Sequence, residues 1–132
     1  MSTTGKYVID SWAWIAYLLG SEAGSVVKKA LEQKEVFTSV VTMAEIASKF
    51  QREGLNPNEA YAAITSKSKI IDIDVNFAYE VGVLHANTKK SSSNFSLADA
   101  FVLHSAISKQ AKVLTGDPDF KDIKEAEFLG SS

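Results

Sequence analysis

Apolar residues follow two alternating rhythms along the chain. Short runs rich in β-branched and aromatic side chains occur at Tyr7 to Asp10, Val36 to Ser39, Lys69 to Ile73 and Lys112 to Thr115, with a weaker run at Glu127 to Leu129. These read as strands. Between them the apolar positions spread to helical spacing. A first helix is expected over Ser11 to Leu19, a second over Ser21 to Gln33 and a third over Thr42 to Glu53. Asn56 opens a fourth, with Pro57 at the favoured first position. Asp74 opens a longer helix with Phe77, Val81 and Leu84 along one side, and Ser96 opens the last, which carries Phe101, Leu103 and Ile107. The polar stretch Lys89-Lys90-Ser91-Ser92-Ser93-Asn94 reads as a loop.

Strands alternating with helices predict an α/β protein, a three-layer α/β/α sandwich around a central parallel sheet. At 132 residues the chain is expected to form one domain over 1–132. Right-handed crossovers bring the start of each helix to the carboxyl edge of the sheet. Ligands of open α/β sheets bind at that edge.

Four acids fall there. Asp10 ends the first strand, and Asp117 follows the fourth by one glycine. Glu45 is expected in the first turn of the helix after the second strand, and Asp99 in the first turn of the helix before the fourth. Each has an ordinary structural explanation. Thr42 to Glu45 has the spacing of a capping box, and Ser96 to Asp99 comes close to one. Asp10 can cap the first helix, and Asp117-Pro118-Asp119 reads as a turn. Together they ask for more. Two carboxylates ~5 Å apart repel by about 3 kcal/mol at an effective dielectric of 20. Such a cluster persists only when protons or cations neutralise it, and hard oxygen ligands without cysteine favour Mg2+ or Mn2+.

Composition narrows the choice of chemistry. The chain has no cysteine, which removes disulfides, cysteine–zinc sites and thiol nucleophiles and fits a cytoplasmic location. Its net charge of −2 excludes binding of nucleic acid through a basic tail, though not through a local patch. No segment reaches the ~18 apolar residues of a membrane span. Lys6 followed by Trp12 to Leu19 has the outline of a signal-peptide core, but Asp10 interrupts it.

Four segments carry a family likeness: Tyr7-Val8-Ile9-Asp10-Ser11, Thr42-Met43-Ala44-Glu45-Ile46, Ser96-Leu97-Ala98-Asp99-Ala100 and Leu114-Thr115-Gly116-Asp117-Pro118-Asp119-Phe120. In that order they resemble the motifs of PIN-domain nucleases, and among these the VapC-type toxins of prokaryotic toxin–antitoxin pairs. The resemblance implies the strand order 3-2-1-4-5 and a Mg2+-dependent endoribonuclease. It implies that Asp10, Glu45, Asp99 and Asp117 form a catalytic, metal-holding quartet, with Ser11 and Thr115 as accessory hydroxyls. Asp119 competes with Asp117 as the acid of its loop; Asp117 ranks first because it is nearer the strand end. RNA substrate, a cognate antitoxin protein and a homodimer are the implied partners.

Two other readings remain open on the residues alone. One is a PIN scaffold that binds RNA or protein without cleaving, against which the intact quartet argues. The other is a receiver-like or phosphatase domain using acids at the same edge. A receiver needs an acidic pair at the first strand and a lysine after a later one, and neither is present around Asp10 or Thr115. His85 and His104 fall inside helical patterns and read as structural. Trp12, Trp14, Ile15, Tyr17, Leu18 and Leu19 make the first helix apolar on most sides, which reads first as burial by its neighbours, and Trp12, Trp14 and Tyr17 are also expected to offer an aromatic surface to a protein partner. Lys49, Arg52, Lys89 and Lys90 are candidates for a basic rim.

Overall fold

A computed structural model describes residues 5–129. Five strands form one sheet: β1 (Lys6–Ile9), β2 (Glu35–Ser39), β3 (Lys69–Ile71), β4 (Lys112–Thr115) and β5 (Ala126–Phe128). Every pairing is parallel and the order is β3-β2-β1-β4-β5. The helices are α1 (Ser11–Leu18), α2 (Gly24–Gln33), α3 (Val40–Arg52), α4 (Pro57–Lys67), α5 (Val75–Lys89) and α6 (Leu97–Lys109). The three-layer sandwich and its strand order agree with the sequence expectation.

Alternation along the strands divides the core between the two faces of the sheet. In β1, Tyr7 and Ile9 join a cluster with Trp14, Val27, Ile46 and Ile64, whose helices α1 to α4 cover one face. Val8 points the other way, into a cluster with Phe37, Val81, Phe95 and Leu103 under α5 and α6. The chain therefore changes face between β3 and β4. This change creates the switch point between β1 and β4, where the crossovers on either side diverge.

Caps set the helix starts. Asp10 caps α1, Asn56 caps α4, Asp74 caps α5 and Ser96 caps α6, each by accepting a backbone N–H. Each such bond contributes about 1 kcal/mol. Ser96 and Asp99 complete a reciprocal capping box. The start of α3 differs from expectation. Ser39, the last residue of β2, is its cap, accepting from Val41 N at 3.2 Å. Thr42 consequently lies inside the helix, fully buried with its hydroxyl unpartnered, and Glu45 falls in the second turn. The expected capping box at Thr42 to Glu45 does not form.

The aromatic face of α1 also needs correction. Trp14 is fully buried and donates its indole N–H to Thr38 Oγ1 at 3.0 Å. It packs edge-on against Tyr17. Trp14 is thus a core residue rather than part of a partner surface. Trp12, two positions earlier, is the exposed one at 40%. His85 bonds the Phe95 carbonyl and His104 bonds Glu80, both in the structural roles expected of them.

Candidate active site

The carboxyl ends of β1 and β4 lie side by side, with Ile9 paired to Leu114. Asp10 follows directly and is 4% exposed. One of its carboxylate oxygens accepts from Ala13 N at 2.9 Å, which is the α1 cap. The other accepts from the hydroxyl of Thr115, at the end of β4. Thr115 Oγ1 in turn accepts from Asp117 N at 2.9 Å. A short relay therefore ties the loop carrying Asp117 to the carboxylate of Asp10. Thr115, implied by the family resemblance as an accessory hydroxyl, is the joint between the two acids.

Gly116 makes this turn tight. A Cβ at that position would come within 2.6 Å of Trp12 Cε3, so the indole rests against the glycine. Asp117 then caps a single 3₁₀ turn (Pro118–Phe120) by accepting from Asp119 N at 2.9 Å.

The remaining acids come from two helices. Asp99, in the first turn of α6, accepts from Ser96 N at 3.0 Å. Glu45 reaches the site from α3, and the Ser11 hydroxyl bonds its carboxylate.

Burial and mutual repulsion push the carboxyls of Asp10, Glu45, Asp99 and Asp119 in one direction. Burial pushes the Asp10 carboxyl up to about 7, against its bonds to Thr115 and Ala13, with the charges of Asp117 and Asp99 adding to the rise. Glu45 is raised by loss of water around it and then by Asp99 and Asp117, while the Ser11 bond pulls it down. Asp99 is raised first by burial, with further rises from Asp117 and Asp119 and opposition from its Ser96 bonds. Asp119 is raised by partial burial and by Asp117. Asp117 is the common neighbour, since its charge acts on all four others. Among the described residues, none of the five acids forms an ion pair with a lysine, arginine or histidine.

The donor set fits a hard divalent cation: it is all oxygen, negatively charged and uncompensated. It does not form a closed cage. Among the described residues no three histidine, aspartate or glutamate side chains stand close enough to hold a metal ion together. Each carboxylate has about four lone-pair sites, and the bonds described above occupy only some of them. The arrangement is an open acidic ring with ligand capacity to spare.

The basic rim is less coherent. Lys49 pairs with Glu53 at 2.7 Å, Arg52 bonds Ser48, and Lys89 bonds the Ser93 carbonyl at 2.7 Å. Sequence reasoning missed the contact of Trp12 with Gly116. No local pattern signals it, because the two residues meet only when β1 and β4 pair. Among the described residues no helix is long and apolar enough to cross a membrane.

No curated protein sequence matches this chain. Solved structures do. A toxin–antitoxin complex from Klebsiella pneumoniae superposes with a TM-score of 0.73 at 19% identity, covering 96% of this chain and 99% of its own. VapC20 of Mycobacterium tuberculosis, a sarcin–ricin loop cleaving toxin, gives 0.71 at 16% identity over 89% of this chain and 95% of its own. VapBC2 from Rickettsia felis, solved bound to a fragment of promoter DNA, also gives 0.71 at 16% identity, over 93% and 96%. At such identities these neighbours establish the fold alone. The PIN domain family model matches residues 7–126, from the first strand to the last. The chain belongs to the PIN-domain family.

Proposed function

We propose that this protein is a divalent-metal-dependent endoribonuclease and the toxin of a toxin–antitoxin pair. The observation that carries the nuclease reading is the gathering of Asp10, Glu45, Asp99 and Asp117 at the switch point, none of them ion-paired with a basic side chain among the described residues. A carboxylate ring of that kind disfavours a phosphodiester until a cation enters. Family membership and the likeness to toxin–antitoxin structures support the toxin reading.

In this reading Asp10, Glu45, Asp99 and Asp117 would close on Mg2+ or Mn2+, since no three of them stand at ligating distance in this structure, with Asp119 at the margin. When bound, the cation supplies Lewis acidity toward a phosphate oxygen and lowers the pKa of water in the site. Water adds to phosphorus in line, the P–O3′ bond breaks, and the products are a 3′-hydroxyl and a 5′-phosphate. Thr115 holds the Asp10 carboxylate in one orientation and Ser11 does the same for Glu45. Burial around Asp10 strengthens its attraction for a cation by lowering the local dielectric. A cognate antitoxin restrains the activity, and the chain works as a homodimer.

The test is incubation of the purified protein with mixed RNAs, with Mg2+ or with chelator, alongside the Asp10→Asn and Asp99→Asn variants. Metal-dependent cleavage that falls ~100-fold or more in either variant is expected. Equal activity in chelator, or full activity in both variants, would overturn the assignment.

A further inference from the structure

Trp12 has a position that neither folding nor the acidic ring explains. It is 40% exposed, yet its indole is seated against Gly116. Its chain neighbour Ser11 bonds Glu45, and the residue after Gly116 is Asp117. The ring is therefore held one residue from two groups of the acidic site. It also lines a cleft of about 690 Å³ shared with Ser11, Ile15, Leu19, Lys49 and Asp117. The cleft opens from the acidic edge and runs along α1 toward the α1–α2 junction.

The walls of this cleft are built. At the junction, a Cβ on Gly24 would lie 2.8 Å from both the Ala16 carbonyl carbon and Tyr17 Cα. The backbones of α1 and α2 are thus in contact there. Gly116 fixes the other end by seating the indole. An exposed aromatic gripped on one side and open on the other is a platform.

We infer that Trp12 stacks on a nucleobase of single-stranded RNA next to the phosphate held at the acidic ring. The inference rests on the nuclease reading above and deepens it by naming a base-binding position. The continuity of the cleft with the acids favours a nucleobase, because Asp117 and Trp12 line the same cleft and a strand with a phosphate at Asp117 has the indole within reach of its next nucleotide. Every base has a π-face, so such stacking tolerates different sequences. Lys49, at the cleft wall, supplies a cation on the path of the neighbouring phosphates once it leaves Glu53.

The test measures binding apart from cleavage. The full-length chain, with Ca2+ replacing Mg2+ so that the acids are neutralised while cleavage is suppressed, is titrated with fluorescein-labelled ten-residue oligouridylate and with the same strand carrying abasic sites. Anisotropy gives Kd, and tryptophan emission is followed with unlabelled strands. Trp14 is buried and hydrogen-bonded to Thr38, so quenching reports on Trp12. The expected result is quenching by the base-bearing strand and not by the abasic one. Trp12→Ala and Trp12→Leu should weaken binding ~5- to 150-fold, and Trp12→Phe should retain most of it. In a parallel arm with Mg2+, the same variants should raise KM more than they lower kcat.

Thermal melting of each variant separates misfolding from lost stacking, and Trp12→Leu keeps apolar cover over Gly116 if Trp12→Ala does not fold. Unchanged Kd in Trp12→Leu, or equal quenching by the abasic strand, overturns the inference. Loss of a bound antitoxin peptide with unchanged RNA binding would assign the cleft to protein docking and also overturn it. If wild type and Trp12→Leu cleave RNA with the same KM, stacking fails while the nuclease stands. If no RNA is cleaved but stacking is seen, the nuclease reading fails instead.

Discussion

Thr115 is the residue on which the site's geometry turns. Its hydroxyl donates to Asp10 and accepts from Asp117 N. Thr115→Val keeps the shape and removes both bonds. The bond from Thr115 lowers the Asp10 pKa, so its loss should move that carboxyl further upward, as read by carbon NMR titration. The variant should also lose about 1–3 kcal/mol of stability, because a partly buried amide and a buried carboxylate lose partners. An unchanged Asp10 titration would show that the relay has no electrostatic role. Trp14 makes a complementary case. Its burial and its bond to Thr38 place it in the core, so Trp14→Ala should cost about 3–5 kcal/mol in denaturant melts. The sequence could not separate Trp14 from Trp12, since both lie on a helix that is apolar on most sides. Only the packing of α1 against the sheet distinguishes them.

Among the elements, helix starts were legible wherever a capping side chain followed a break in the apolar pattern. Asn56-Pro57, Asp74 and Ser96 each punctuate the chain, and each caps its helix. The start of α3 was not legible, because β2 runs into it with no intervening loop and no glycine or proline to mark the break. Ser39 ends the strand and caps the helix at once, whereas Thr42 carries the more familiar capping spacing three residues before Glu45. Two substitutions distinguish the assignments. Ser39→Ala should destabilise by about 1 kcal/mol. Thr42→Val removes a buried hydroxyl that has no partner, and should be neutral or stabilising. A reversal of the two effects in urea melts would place the cap at Thr42. The shift of one turn along α3 still leaves Glu45 at the carboxyl edge of the sheet. Strand ends and helix starts give the edge directly from sequence. The family resemblance implied Ser11 and Thr115 only as accessory hydroxyls; which acid each one bonds depends on side-chain placement and was not legible.

For the whole molecule, the acidic ring couples stability to pH and to cations. In the folded chain the carboxyl of Asp10 is raised from 3.8 to about 7. Below about pH 4 it is protonated whether the chain is folded or unfolded. As pH rises from there to about 7, the unfolded chain releases the proton that the folded one retains, so stability falls. Glu45, Asp99 and Asp119 shift in the same direction and add to the slope. Asp10→Asn should therefore gain stability over wild type in chelator at pH 8, on the order of a few kcal/mol, and lose that advantage near pH 4. Added Mg2+ should reverse the order at pH 8, because it binds the folded wild type by mass action. Equal Mg2+ shifts in both proteins would show that the cation binds elsewhere. One bond gives this coupling a local reporter. The Ala13 amide that begins α1 donates to the Asp10 carboxylate, and a charged acceptor makes that bond the stronger kind. Amide hydrogen exchange at Ala13 should thus lose protection as the solution is acidified below about pH 7, while amides deeper in α1 keep theirs. The state of the acidic edge is written into the fraying of a single helical turn.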